Sequence, residues 1–156
     1  MSKKSARTPL VTSGYETSIV RTVIAALIVV AGIAWIAVYI NFAKDAAEFV
    51  SFPGADRPAN PLPWMADLER WNLLIGFVLI FLGLTVAAHK LTPLGRGRGV
   101  VIGMLGCFLI GLVWIVLFYF IGQNDNVPLM KDLGQFNLVV GIGFMAVGFT
   151  YATKWE

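Results

Sequence analysis

The chain has 156 residues, 58% of them hydrophobic and only 13% charged, with a formal net charge of +3. That composition lies far outside a soluble domain of this size and points to the bilayer as solvent. Few charges fall outside the tails and connections, and no basic helix with interleaved aromatics is present, so no nucleic-acid partner is expected.

Residues 1–19 are polar, with Lys3, Lys4, Arg7 and Glu16, and read as a flexible cytoplasmic tail. The apolar run over about 20–42 is too long for the core of a signal peptide and lacks a small-residue cleavage site. It is expected to stay attached as a transmembrane helix. Three further runs, roughly 72–91, 99–122 and 136–154, are also long enough to span the hydrocarbon layer. All are continuously apolar, without the alternation of a barrel strand, so the expected fold is all-α. It is a polytopic membrane protein with four transmembrane helices arranged as two tandem hairpins.

Basic residues set the orientation. Lys3, Lys4, Arg7, Arg21, Lys90, Arg96, Arg98 and Lys154 fall in the tail, the middle connection and the C-terminus, whereas the other two connections hold only Lys44, Arg57, Arg70 and Lys131. Both termini are therefore expected in the cytoplasm. In the first outer connection, Ala46 to Phe52 can form a short amphipathic piece on the membrane surface, ahead of a segment stiffened by Pro53, Pro58, Pro61 and Pro63. The second outer connection, about 123–135, is too short for a domain.

The second and fourth runs are introduced by related segments. A shift of 65 positions carries Pro63, Met65, Asp67, Leu68 and Asn72 onto Pro128, Met130, Asp132, Leu133 and Asn137, with Trp71 falling on Phe136. The same register pairs Gly76 with Gly141 and Gly83 with Gly148. A shift of 79 pairs Gly32 and Trp35 with Gly111 and Trp114. The chain reads as two copies of one unit, 20–92 with the longer outer loop and 93–156 with the short one. Pro63 and Pro128 suit the first turn of a helix, and Asp67 or Asp132 would follow near the positive end of its dipole. Alternatively, Asn60 or Asn126 caps that turn.

No Asp, Glu, Lys or Arg lies well inside an apolar run, which argues against a transporter, pump or carrier. The single histidine, His89, reads as an interfacial anchor, and Cys107, the only cysteine, as a packing residue that can form no intrachain disulfide. Gly95-Arg96-Gly97-Arg98-Gly99 has no preceding strand and reads as an inner-leaflet turn rather than a phosphate loop. No catalytic residue, metal, cofactor or small-molecule substrate is expected.

Small residues are the candidate contact sites. Gly103, Cys107 and Gly111 form a stripe at intervals of four, and Gly83 with Ala87 and Gly148 with Ala152 repeat the small-xxx-small spacing. Two readings stand: the stripes pack this chain's own helices, or one of them, that of the third run, docks a partner's helix. Trp64, Trp71, Phe136 and Trp155 suit an interfacial belt. Trp35 and Trp114 lie deeper, at matching places, and read as packing.

With Gly-x-x-Trp-Ile in the first run of each unit and Pro-x-Met-x-Asp-Leu-x-x-Trp/Phe-Asn opening the second, each half resembles CrgA, an actinobacterial family of small cell-division membrane proteins with two transmembrane helices. The resemblance covers all but the N-terminal tail, and Trp64 to Asn72 is unusually close to the family pattern. It implies a non-catalytic regulator of septation at the division site. Its implied partners are membrane-spanning division proteins such as a septal transpeptidase and Z-ring-linked components, and its implied task is to coordinate septal peptidoglycan synthesis. Two helix pairs where the family has one mimic a homodimer in a single chain, or mark a relative with other partners. The competing reading is an accessory subunit of a respiratory or transport complex.

Overall fold

The computed structural model describes residues 17–51, 53–122 and 127–154, and every regular element among them is helical. The tail up to Glu16, Phe52, Asn126, Trp155 and Glu156 lie outside the described residues. Helix α1 (Ile19–Val38) begins at Ser18, whose hydroxyl accepts the Arg21 N–H at 3.3 Å. This relieves one of the orphan donors of the first turn.

From α1 the chain passes through a π-helical turn (Tyr39–Ala43) directly into α2 (Lys44–Ala47), making one helical stretch of 29 residues. A wide turn of this kind inserts an extra residue and re-aims the helix beyond it. Tyr39, Ala43 and Ala46 thereby all face inward. The expected amphipathic piece from Ala46 onward is thus corrected: Ala46 and Ala47 finish the first long helix, and residues 48–51 are not helical.

Helix α3 (Pro63–Asp67) is followed by α4 (Trp71–Ala87), and α6 (Pro128–Leu133) by α7 (Phe136–Ala152), with α5 (Arg98–Phe120) between the two pairs. Both α4 and α7 have 17 residues, about 25 Å of helix. They stop short of the expected 91 and 154. For α4 the reason is local: the Thr92 hydroxyl donates to the carbonyls of Ala87 and His89, folding the chain into a compact turn with Thr92 only 1% exposed. Gly97, at φ +50, then feeds the chain into α5.

Helix α1 packs along α4 and α5 along α7, and the two pairs meet through α4 and α7. Each pair crosses at glycines. A Cβ on Gly32 would lie 2.5 Å from the Gly76 carbonyl oxygen, and one on Gly111 would lie 2.5 Å from that of Gly141. The backbones therefore touch where no side chain fits.

The outer faces of α1 and α5 are lined with exposed large apolar residues, among them Leu27, Val30, Ile33, Ile102, Leu109 and Leu112. Exposed apolar surface on this scale is foreign to a water-facing monomer. The 29-residue stretch and α5 are each long and apolar enough to cross a bilayer.

Gly111→Leu is expected to lower the melting temperature in mild detergent, by overpacking worth about 1–3 kcal/mol. Gly106→Leu, on the same helix but with nothing within 4 Å of its Cβ, is expected to leave it unchanged. Scanning fluorimetry of the two variants side by side checks the contrast.

Candidate functional site

At one end of the bundle the repeated segment builds the same turn twice. Pro63 and Pro128 each occupy a first-turn position, where the missing N–H costs nothing. The short helices then end at Asp67 and Leu133, before the long ones begin. Asp67 and Asp132 therefore sit at the C-terminal ends of α3 and α6, which corrects the expectation that they face the positive end of a dipole. Asn60 caps nothing either, because its side chain closes a local turn with the N–H and carbonyl of Leu62.

Asn72 and Asn137, both 0% exposed, tie each short helix to the long one. Asn72 Nδ2 donates to the carbonyls of Met65 (2.7 Å) and Glu69 (2.9 Å). Asn137 Nδ2 donates to those of Met130 (2.6 Å) and Gly134 (2.7 Å). These carbonyls are the unsatisfied acceptors left where a helix stops. The turn needs a positive φ at one position, supplied by Glu69 (+46) in the first copy and Gly134 (+51) in the second. Met65 and Met130 fill the space beneath, at 2% and 5% exposure.

The copies then diverge. Asp67 is exposed, whereas Asp132 Oδ2 meets Lys44 Nζ at 2.5 Å, with both side chains mostly buried. Lys44 reaches it because the π turn carries the end of the first long helix toward α6. This ion pair joins the two helix pairs at the end that carries the proline turns, beside a crevice of about 550 Å³ lined by Tyr39, Glu48, Glu69, Arg70 and Lys131.

Below it runs an aromatic seam. Trp71 faces Phe136 at 6.2 Å, Phe77 meets Trp114 edge-on at 5.4 Å, and Phe81 meets Phe144 edge-on at 5.0 Å. Trp35 packs instead on Trp64 at 5.7 Å, within its own half. The indole N–H groups of Trp35 and Trp114 and the amide oxygens of Asn72 and Asn137 are buried without a partner among the described residues. At the far end the Tyr151 hydroxyl crosses between the pairs to the Leu84 carbonyl at 2.9 Å.

The small-residue positions are all on, or beside, helix contacts within the chain. Gly103 lies under Tyr151, Gly111 against Gly141 and Met145, and Gly148 against Met104, Cys107 and Phe108. Gly83 faces Ala25 and Val29 of α1, Ala87 is buried, and Ala152 is half-buried at the end of α7. Sequence reasoning did not assign the Asn72 and Asn137 clamps, although both stood in the repeated motif. It also missed the Lys44–Asp132 pair, which has no counterpart spacing in sequence.

The family model of cell division protein CrgA matches residues 1–90 and 93–156. The chain belongs to the CrgA family. Among relatives, a cell division protein CrgA of Streptomyces avermitilis is 47% identical over 53 residues, which is 34% of this chain and 60% of that protein. One from Corynebacterium aurimucosum is 32% identical over 67 residues, 43% of this chain and 71% of its own length. One from Corynebacterium glutamicum is 32% identical over 53 residues, so the chain spans 57% of that relative. No solved structure matches. CrgA is a cell-division family and not a known enzyme family, and membership in it supports a role in cell division for this chain.

Asn137→Leu is expected to destabilise the fold by about 1–3 kcal/mol, the usual cost of stranding buried acceptors. Glu69→Gly is expected to stabilise it by up to about 1 kcal/mol, because a left-handed backbone strains any residue with a Cβ. A double-mutant cycle on Lys44→Met and Asp132→Asn is expected to give a coupling of about 0.5–3 kcal/mol. Unfolding in detergent measures all three.

Proposed function

We propose that this chain is a non-catalytic membrane scaffold of septation in which α1, α4, α5 and α7 all cross the bilayer and both termini lie in the cytoplasm. It is built as two tandem hairpins, 20–92 and 93–156, after the tail of residues 1–19. Family membership is the observation that carries the reading. The bundle supports it. Asn72, Asn137, Lys44 and Asp132 are each engaged inside the chain, while large apolar side chains cover the outside. Such a molecule has grip on neighbouring helices and little means of chemistry.

Its task is to coordinate septal peptidoglycan synthesis through helix contacts with membrane-spanning division proteins, such as a septal transpeptidase and Z-ring-linked components. With the Gly103, Cys107 and Gly111 face closed by α7, the surfaces open for such contacts are the outer faces of α1 and α5. A homo-oligomer would use the same faces.

A fluorescent fusion expressed from the native locus is expected to concentrate at septa, and deletion to misplace or delay them. Uniform membrane signal with normal septa overturns the reading. Co-purification with haem-containing or rotary complexes in its place would make the chain an accessory subunit of those.

A further inference from the structure

The end of the bundle opposite the proline turns holds a feature the septation reading leaves unused. The start of α1 and the ends of α4 and α7 enclose a crevice of about 690 Å³. Its walls are mostly apolar, with Ile24 and Phe149 exposed on the helix surface and Val86 half-buried, and Arg21, His89 and Lys154 line it as well. Among the described residues no carboxylate forms an ion pair with any of these three.

Arg21 and His89 are in contact rather than merely nearby. Arg21 Nη1 lies 2.7 Å from His89 Nε2 and 3.0 Å from Nδ1. His89 Nδ1 is already the acceptor for the Leu91 N–H at 3.2 Å. A guanidinium can only donate, and a neutral imidazole has a single acceptor nitrogen, so the Leu91 N–H and Arg21 together ask more of the ring than it can accept. Desolvation, and after it the charges of Arg21, Lys90 and Lys154, lowers the imidazole pKa below the usual histidine value. The surroundings are electropositive enough to resist a further cation.

An anionic oxygen beside the pair would accept from the guanidinium and from the ring N–H, and would neutralise the excess charge. The apolar walls beneath fit hydrocarbon, not a free ion. We propose that this crevice holds the phosphate of an anionic phospholipid, with Arg21, His89 and Lys154 around the headgroup and an acyl chain against Ile24, Val86 and Phe149. Basic pockets between helices at the cytoplasmic face recognise such headgroups. The assignment of this end to the cytoplasmic leaflet rests on the orientation proposed above; the lipid contact itself does not.

The test uses the purified full chain in neutral detergent, titrated with cardiolipin, phosphatidylglycerol or phosphatidylcholine and read by native mass spectrometry. Cardiolipin and phosphatidylglycerol are expected to be retained in preference to phosphatidylcholine. Arg21→Gln and Lys154→Gln are each expected to reduce that retention about five-fold. Arg21→Lys, which keeps the charge, is expected to retain most of it, and Arg98→Gln, which removes a charge elsewhere on the same end, to stay within about two-fold of the parent. Lys154→Gln lies past the end of α7 and keeps the test sound if Arg21→Gln fails to fold.

Equal retention of phosphatidylcholine, or equal loss in Arg98→Gln, overturns the site in favour of diffuse surface charge. Displacement of the lipid by millimolar inorganic phosphate alone assigns the crevice to the free ion and overturns the lipid. Cysteine labelling of the two chain ends in intact cells reports the orientation separately, and septal localisation reports the cellular role, so failure of one leaves the others readable.

Discussion

Backbone-to-backbone contact at two glycine crossings is the constraint on which the bundle depends. Between apolar helices in lipid there is no hydrophobic drive to associate, so attraction comes from close packing. At Gly32 with Gly76, and again at Gly111 with Gly141, each helix presents the other with bare backbone. The contact is reciprocal within each pair, since a Cβ on Gly76 or Gly141 would in turn approach the carbonyl oxygen of Gly32 or Gly111, at 3.0 and 3.1 Å. Everything outward of these points, including the long apolar faces of α1 and α5, is left free for lipid or for neighbours.

The polar groups complete what the crossings begin. Each asparagine clamp closes the end of a short helix over the start of a long one, and so sets the angle at which α4 and α7 enter their pairs. Joining the pairs to each other is the work of less symmetric parts: the Lys44–Asp132 ion pair, the ring contacts of Phe77, Phe81 and Phe144, and the Tyr151 hydroxyl. Gly143, where Phe81 occupies the space a Cβ would need, has valine at the corresponding place of the first copy, Val78. The joint between the halves is therefore not a two-fold copy of itself. A covalent tandem allows that difference, which two identical chains related by symmetry would not.

Much of this was legible in the sequence because long apolar helices advertise themselves by length and hydropathy, and because the repeated motif marks equivalent positions. The four apolar helices, the helix-starting prolines and the small residues at contacts all follow from local pattern. The features that stayed hidden depend on distant partners. The end of α4 is set by the buried Thr92 hydroxyl, which no apolar run foretells. Asp67 and Asp132 look alike in sequence, yet only Asp132 finds Lys44, because the π turn at Tyr39–Ala43 aims that lysine across the molecule. The asparagines stood in the motif, but their role requires carbonyls seven residues back to be turned toward them.

The central claim is that two hairpins of one chain close on each other. Cysteines placed at positions 44 and 132 in a Cys107→Ala background, treated with a short bismaleimide in native membranes, measure it most directly. The account predicts a product that keeps the mass of a single chain and forms equally well at low expression. A product made mainly of cross-linked dimers, growing with expression level, would contradict it.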